Sequence, residues 1–79
     1  MERPPATFEV NGAALRRTRM HHGIGIHELA DSAGISRSYL QRLETGTRRR
    51  MRPGTYAALR TALNVDDDRL LNEEPTEKR

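Results

Sequence analysis

The sequence contains no cysteine, so neither a disulfide nor a thiolate-bound metal can staple the chain. It has no run of about 18 apolar residues, which excludes a membrane-spanning helix. Its start, Met1-Glu2-Arg3-Pro4-Pro5, lacks the apolar stretch of a signal peptide. These absences point to a soluble, intracellular protein, cytoplasmic in expectation. Lysine is nearly missing as well: thirteen of the fourteen basic residues are arginine. Arginine favours forked contacts to phosphates and bases over point charges, although a GC-rich coding sequence would leave the same bias.

What remains is one small domain. A chain of 79 residues buries only about 60% of its unfolded surface, so an unstapled core must be compact and largely helical. With 34% hydrophobic and 32% charged residues the composition is polar, yet compatible with a folded domain. The charge is unevenly placed. Residues 1–9 carry a net −1 and residues 61–79 a net −3, whereas residues 10–60 set ten arginines against Glu28, Asp31 and Glu44, a net +7. A basic block between acidic ends suggests a surface for a polyanion, with a plain solvated face as the alternative.

The punctuation of the chain divides it into short helices. Pro4 and Pro5 keep residues 1–9 from forming a helix and mark a flexible arm, in which Thr7–Val10 alone carries a strand signal. Asn11 is a good N-cap for a helix to His22, stopped by Gly23. Its inward arc is Leu15, Thr18, Arg19 and His22, which is unusually polar. Ile26, Leu29, Ala30 and Ala33 mark a second helix closed by Gly34. Ser36 caps a third, running to Thr45 and ended by Gly46. Thr47–Arg52 reads as a basic loop. Pro53 opens a fourth helix with Tyr56, Leu59 and Leu63 on one face, and Asp66 caps a short fifth one bearing Leu70 and Leu71. Residues 10–72 thus form the domain and 73–79 a polar tail. The expected fold is all-α, a compact bundle of about five short helices. Its core is drawn from Leu15, Ile24, Leu29, Ala30, Ala33, Ile35, Leu40, Leu43, Tyr56, Leu59, Leu63, Val65, Leu70 and Leu71.

Two helices joined by Ala33-Gly34-Ile35-Ser36 carry the functional signal. Gly34 permits the left-handed backbone of a tight helix–helix turn, and Ile35 can plug the angle between the helices. At 100° per residue, Leu40 and Leu43 lie together on the third helix, flanked by Tyr39 and Glu44. Arg37, Ser38, Gln41, Arg42 and Thr45 share an opposite arc of about 140° that holds no acid. A helix fits the major groove of DNA, where arginine reads guanine and glutamine reads adenine. An ordinary polar solvent face is the alternative.

Leu15-Arg16-Arg17-Thr18-Arg19, Gly23-Ile24, Glu28-Leu29-Ala30, Ala33-Gly34-Ile35-Ser36-Arg37-Ser38-Tyr39-Leu40 and Leu43-Glu44-Thr45-Gly46 together closely resemble the Cro/repressor-type (XRE-like) helix-turn-helix family. Leu63-Asn64-Val65-Asp66 with Leu70-Leu71 is similar to the closing segment of that family. The resemblance spans roughly residues 11–72 and implies a lambda-repressor-like bundle that binds double-stranded DNA. It implies that Arg37, Ser38 and Arg42 reach base edges, with Gln41 beside them on the same arc. It also implies that Thr45, Thr47, Arg48, Arg49 and Arg50 clamp phosphates of the DNA backbone; Tyr39, Arg52, and Arg16 and Arg17 of the first helix are further expected backbone contacts. Arg19 and Glu44 match a pair that often forms a buried salt bridge in the family.

Three features depart from the family pattern. Gly25-Ile26 stands where a polar residue, often Gln after Ser, contacts phosphate. Either bare helix-terminal amides take that phosphate or the contact is lost. Thr47–Arg52 is about two residues longer than usual. Thr18 and Arg60 occupy positions that are commonly apolar or small; Arg60 either snorkels out of the core or signals a different register for helix four.

Other chemistries fit poorly. His21, His22 and His27 lack companion ligands, since adjacent helical histidines point about 100° apart. Asp66-Asp67-Asp68 reads as a helix cap with favourable dipole charges rather than a metal loop. So small a chain lacks room for a substrate pocket, so no catalytic residue, metal or cofactor is expected. The expectation is a sequence-specific regulator of transcription, of phage, plasmid or chromosomal origin, most simply a nucleoid-associated repressor. The alternatives are a protein-interaction module on the same fold, such as an antitoxin or adaptor, and an excisionase-like protein that bends DNA. The family commonly dimerises through its last helix. Here Asp66–Asp68, Glu73 and Glu74 would oppose their copies, so a weak or DNA-dependent homodimer is expected.

Overall fold

Each helix starts and stops at its capping residues. In the computed structural model, which describes residues 7–72, helix α1 (Gly12–His21) begins where the Asn11 side chain accepts the Ala14 N–H at 3.1 Å. Helix α2 (Ile26–Ala33) closes on Gly34, whose φ of 71° is the left-handed turn that a side chain would strain. Helix α3 (Arg37–Thr45) opens with the Ser36 hydroxyl accepting the Tyr39 N–H at 3.0 Å, and Gly46 ends it. Helix α4 (Pro53–Leu63) starts on Pro53, which has no N–H to leave unsatisfied, and ends on left-handed Asn64.

The four helices enclose one core. Leu15, Leu29, Leu40, Leu43, Leu59, Leu63 and Leu70 are fully buried, with Ala30, Tyr56 and Val65 beside them. Ile24, Ala33, Ile35 and Leu71 are half-buried against this cluster. Two further core residues, Val10 and Met51, come from outside the helices and are absent from the core expected from hydrophobic spacing. Strand β1 (Phe8–Glu9) pairs antiparallel with strand β2 (Arg50–Met51), matching Phe8 with Met51 and Glu9 with Arg50. Thus Thr47–Arg52 is not wholly a loop, and residues 8 and 9 are strand rather than arm. The remainder of the expected arm, residues 1–6, and the tail 73–79 lie outside the described residues.

The expected fifth helix is absent from the described residues. After Val65 the chain turns and runs extended beside β1, where Leu71 bridges Val10 and the Asn72 N–H reaches the Glu9 carbonyl at 3.1 Å. Asp67 accounts for the difference, because its carboxylate accepts both the backbone N–H and the guanidinium of Arg69. Such a local side-chain bond competes with helical hydrogen bonding. The same bonds to Arg69 hold the Asp67 carboxyl below its ordinary pKa.

The two residues that depart from the family core pattern are accommodated individually. Thr18 is buried, and its hydroxyl donates to the Ala14 carbonyl at 2.7 Å. Arg60 lays its guanidinium 5.4 Å from the Tyr56 ring centre and donates from Nε to the Val65 carbonyl. It therefore snorkels, and the register of α4 stands. His22, expected on the inward arc of α1, is instead exposed beyond the helix end, with Nδ1 2.9 Å from the Thr18 carbonyl.

Two contacts lock α1 to α3. Arg19 Nε lies 2.7 Å from Glu44 Oε2 and Nη2 lies 3.1 Å from Oε1, a forked pair largely out of water. At the other end of α1, Gly12 presses on the α3 backbone so closely that a Cβ would strike the carbonyl oxygens of Leu43 and Glu44. Removing one partner of a buried ion pair strands the other and costs about 3–5 kcal/mol, a large share of the roughly 5–15 kcal/mol that holds a domain together. Glu44→Ala is expected to unfold much of the protein at room temperature, and thermal melting followed by circular dichroism checks it. An unchanged midpoint would reduce the pair to surface decoration.

Tyr56 generates a pH prediction. Burial, and then a 2.6 Å hydrogen bond donated to Asp68, push its phenol above the ordinary value. The native state therefore holds this proton more tightly than the unfolded chain. The resulting stability is complete below the unfolded pKa of about 10 and is lost as pH climbs through the raised native value. Tyr56→Phe is expected to flatten the fall of stability above pH 10, measured by urea titration at stepped pH.

Candidate nucleic-acid interface

The turn between α2 and α3 fixes the face that α3 presents. Gly34 reverses the chain, and the Ile35 N–H returns to the Ala30 carbonyl at 3.0 Å while its side chain packs on the core. Ser36 then starts α3 with Leu40 and Leu43 facing inward. Arg37, Ser38, Gln41, Arg42 and Thr45 are left exposed on one arc. Glu44, the helix's single acid, is buried in its bond to Arg19, so the outward face of α3 carries only cations and neutral hydrogen-bonding groups.

The segment after α3 is tied back onto the helix. The Arg42 carbonyl accepts the N–H groups of Gly46 and Arg48 at 3.1 and 3.0 Å. The Thr45 and Thr47 hydroxyls lie 3.1 Å apart on the same turn. Tyr39, Arg48, Arg50 and Arg52, with Thr7 and Thr55, line one groove over Met51. A sugar–phosphate backbone suits such a groove, since arginine forks and hydroxyls both donate to phosphate oxygens.

The loop cations do not sit alike. Arg48 lies over the Tyr39 ring, 5.3 Å from its centre. Arg50 donates from Nε to the Thr7 hydroxyl at 2.8 Å, and its Nη1 is 4.0 Å from Glu9. Arg49 and Arg52 are exposed, and the Arg49 carbonyl is held by the Val10 N–H at 2.8 Å. Arg16 and Arg17 line a different cleft with Met20, His21 and Glu44 on the α1 side. The structure thus gathers Tyr39, Arg48, Arg50 and Arg52 together, leaves Arg49 outside that groove, and places Arg16 and Arg17 apart from it. Thr7 and Glu9, absent from the sequence-based site, restrain a loop cation. The strand signal over Thr7–Val10 was the available cue to them.

At the start of α2, Gly25 offers no side-chain cap and Ile26 packs half-buried against the core. Ile26 thus provides an apolar anchor where the resemblance implies a polar side chain. Among the described residues no three His, Asp or Glu side chains converge as a metal site would require.

Residues 12–72 match a family described as helix-turn-helix domain. The chain belongs to that family. Its fold is similar to that of the restriction-modification controller protein C.AhdI from Aeromonas hydrophila, with a TM-score of 0.70 and 32% identity over 76% of this chain and 89% of that one. It is also similar to the clp gene regulator ClgR from Corynebacterium glutamicum, with a TM-score of 0.64 and 34% identity over 70% of each chain. A third likeness is to SinR, a master regulator for biofilm formation solved in complex with DNA, with a TM-score of 0.67 and 25% identity over 70% of this chain and 87% of that one. A search of curated proteins finds no match. By their descriptions these neighbours are a controller protein and two regulators, one of them solved with DNA.

Proposed function

We propose that this protein is a sequence-specific regulator that binds double-stranded DNA by seating α3 in the major groove. The acid-free outward face of α3, beside the arginine-lined groove, carries this reading. Arg37 and Ser38 enter the groove first and Gln41 and Arg42 follow one turn on, while Thr45, Thr47, Arg48, Arg49 and Arg52 hold phosphates. Arg16 and Arg17 add long-range attraction from α1. The proposed output is repression, which needs only that the protein occupy its operator.

Self-association is proposed to be weak or to depend on DNA. Leu70 is fully buried in its own core and Leu71 pairs with Val10, so the closing segment has little apolar surface left for a partner. Asp66–Asp68 would also face their copies there, a like-charge contact that opposes docking.

Selection of duplexes from a random pool tests the reading, and failure to enrich any sequence would favour a protein-interaction module. Two outcomes are expected from variants. Arg37 can bond guanine O6 and N7 together, and a good bidentate pair carries about 1–3 kcal/mol of discrimination. Arg37→Ala is expected to relax preference at one base pair per half-site, with non-specific affinity nearly intact. An unaltered consensus would transfer the role to Arg42. In the loop, each lost phosphate contact flattens the slope of log K against log salt by about 0.9. Arg48→Ala is expected to show that change on every sequence. Arg50→Ala, whose guanidinium already serves Thr7, is expected to show less. Equal slopes for both variants and wild type would remove the loop from the interface.

A further inference from the structure

We propose that Tyr39 is a positioning residue for Arg48, acting through the stack of its ring beneath the Arg48 guanidinium rather than by touching DNA. This rests on the DNA-binding reading above. Tyr39 belongs to the first turn of α3, its ring half-buried against the core and its N–H fixed by the Ser36 cap. Arg48 lies three residues beyond the end of the same helix, and its own N–H is bonded to the Arg42 carbonyl. The chain therefore folds back, and Arg48 is anchored at both ends. Its main chain is held by the last turn of α3, and its guanidinium lies 5.3 Å above a ring from the first turn.

The physical consequence is preorganisation. An unrestrained arginine loses much rotamer freedom when it grips a phosphate. A guanidinium stacked on an aromatic face has already lost part of it, while its edge keeps its donors for phosphate oxygens. The ring also holds the cation beside the base-reading arc, so that phosphate and base contacts share one rigid frame. The phenolic hydroxyl has no part in this arrangement.

Three variants separate this role from others, each first shown to fold by circular dichroism. Tyr39→Leu keeps an apolar anchor and removes the ring face, and is expected to weaken binding about two- to fivefold on selected and random duplexes alike. Tyr39→Phe is expected to recover that loss. In an Arg48→Ala background, Tyr39→Leu is expected to add nothing, as a double-mutant cycle requires of coupled residues. In the protein without DNA, the Arg48 side-chain protons are expected to show an upfield ring-current shift in the NMR spectrum. That shift should persist in Tyr39→Phe and vanish in Tyr39→Leu. A Tyr39→Phe variant as weak as Tyr39→Leu would assign the effect to the hydroxyl and overturn the proposal. So would an undiminished effect of Tyr39→Leu without Arg48, or a missing ring-current shift. If the wild-type protein binds no duplex, the positioning role falls with the function, and the ring-current shift still reports whether the stack exists.

Discussion

One guanidinium holds α3 in place. Arg19 directs Nε and Nη2 to the two oxygens of Glu44 and Nη1 to the Ile24 carbonyl at 2.9 Å. A single side chain from α1 thereby fixes the turn before α2 and the end of α3. The arrangement also settles the electrostatics of the outward face of α3. A carboxylate left exposed on α3 would repel phosphates, and this one is instead neutralised and buried. Gly12 belongs to the same constraint, since only a residue without a side chain lets α1 approach the α3 carbonyls so closely.

A second constraint comes from outside the helices. The segment from Thr7 to Asn11 runs between β2 and the closing stretch at Leu70–Asn72, bonded to both. It binds both the basic segment after α3 and the chain beyond α4 to one strand. This explains how an arginine-rich segment holds its shape. Met51 fills the core between two arginines, and the strand pairs Arg50 with Glu9. The basic segment after α3 is therefore ordered structure.

The four helices were legible because their signals are local: Asn11, Ser36 and Pro53 start helices, and Gly34 and Gly46 stop them within a residue of where the pattern places them. The polar arc of α3 was legible for the same reason, since spacing alone sorts Arg37, Ser38, Gln41, Arg42 and Thr45 from Leu40 and Leu43. The strands were harder to read. Two residues a side give no measurable alternation, and their pairing joins positions some forty residues apart, so Met51 was hidden among arginines. The fifth helix expected from an Asp66 cap does not form: Asp67 bonds forward to Arg69, and the chain then runs extended to the bridge between Leu71 and Val10. Which loop arginine is restrained depends on Thr7, Glu9 and Tyr39, all distant in sequence.

Charge counted from composition overstates what this protein can offer a polyanion. Of the ten arginines between residues 10 and 60, Arg19 is committed to Glu44, and Arg60 to Tyr56, Val65 and Asp68. Arg50 is shared with Thr7 and Glu9, and Arg48 lies along an aromatic face that leaves its edge outward. Counterion release depends on cations that meet phosphates, not on those closing internal contacts. On the proposed reading, the cations left for DNA are Arg37 and Arg42 on α3, Arg48, Arg49 and Arg52 beyond it, and Arg16 and Arg17 set apart on α1. Two of the remaining three arginines serve the scaffold that gives these cations their positions. Arg50 serves both, bracing the basic segment while standing at its edge.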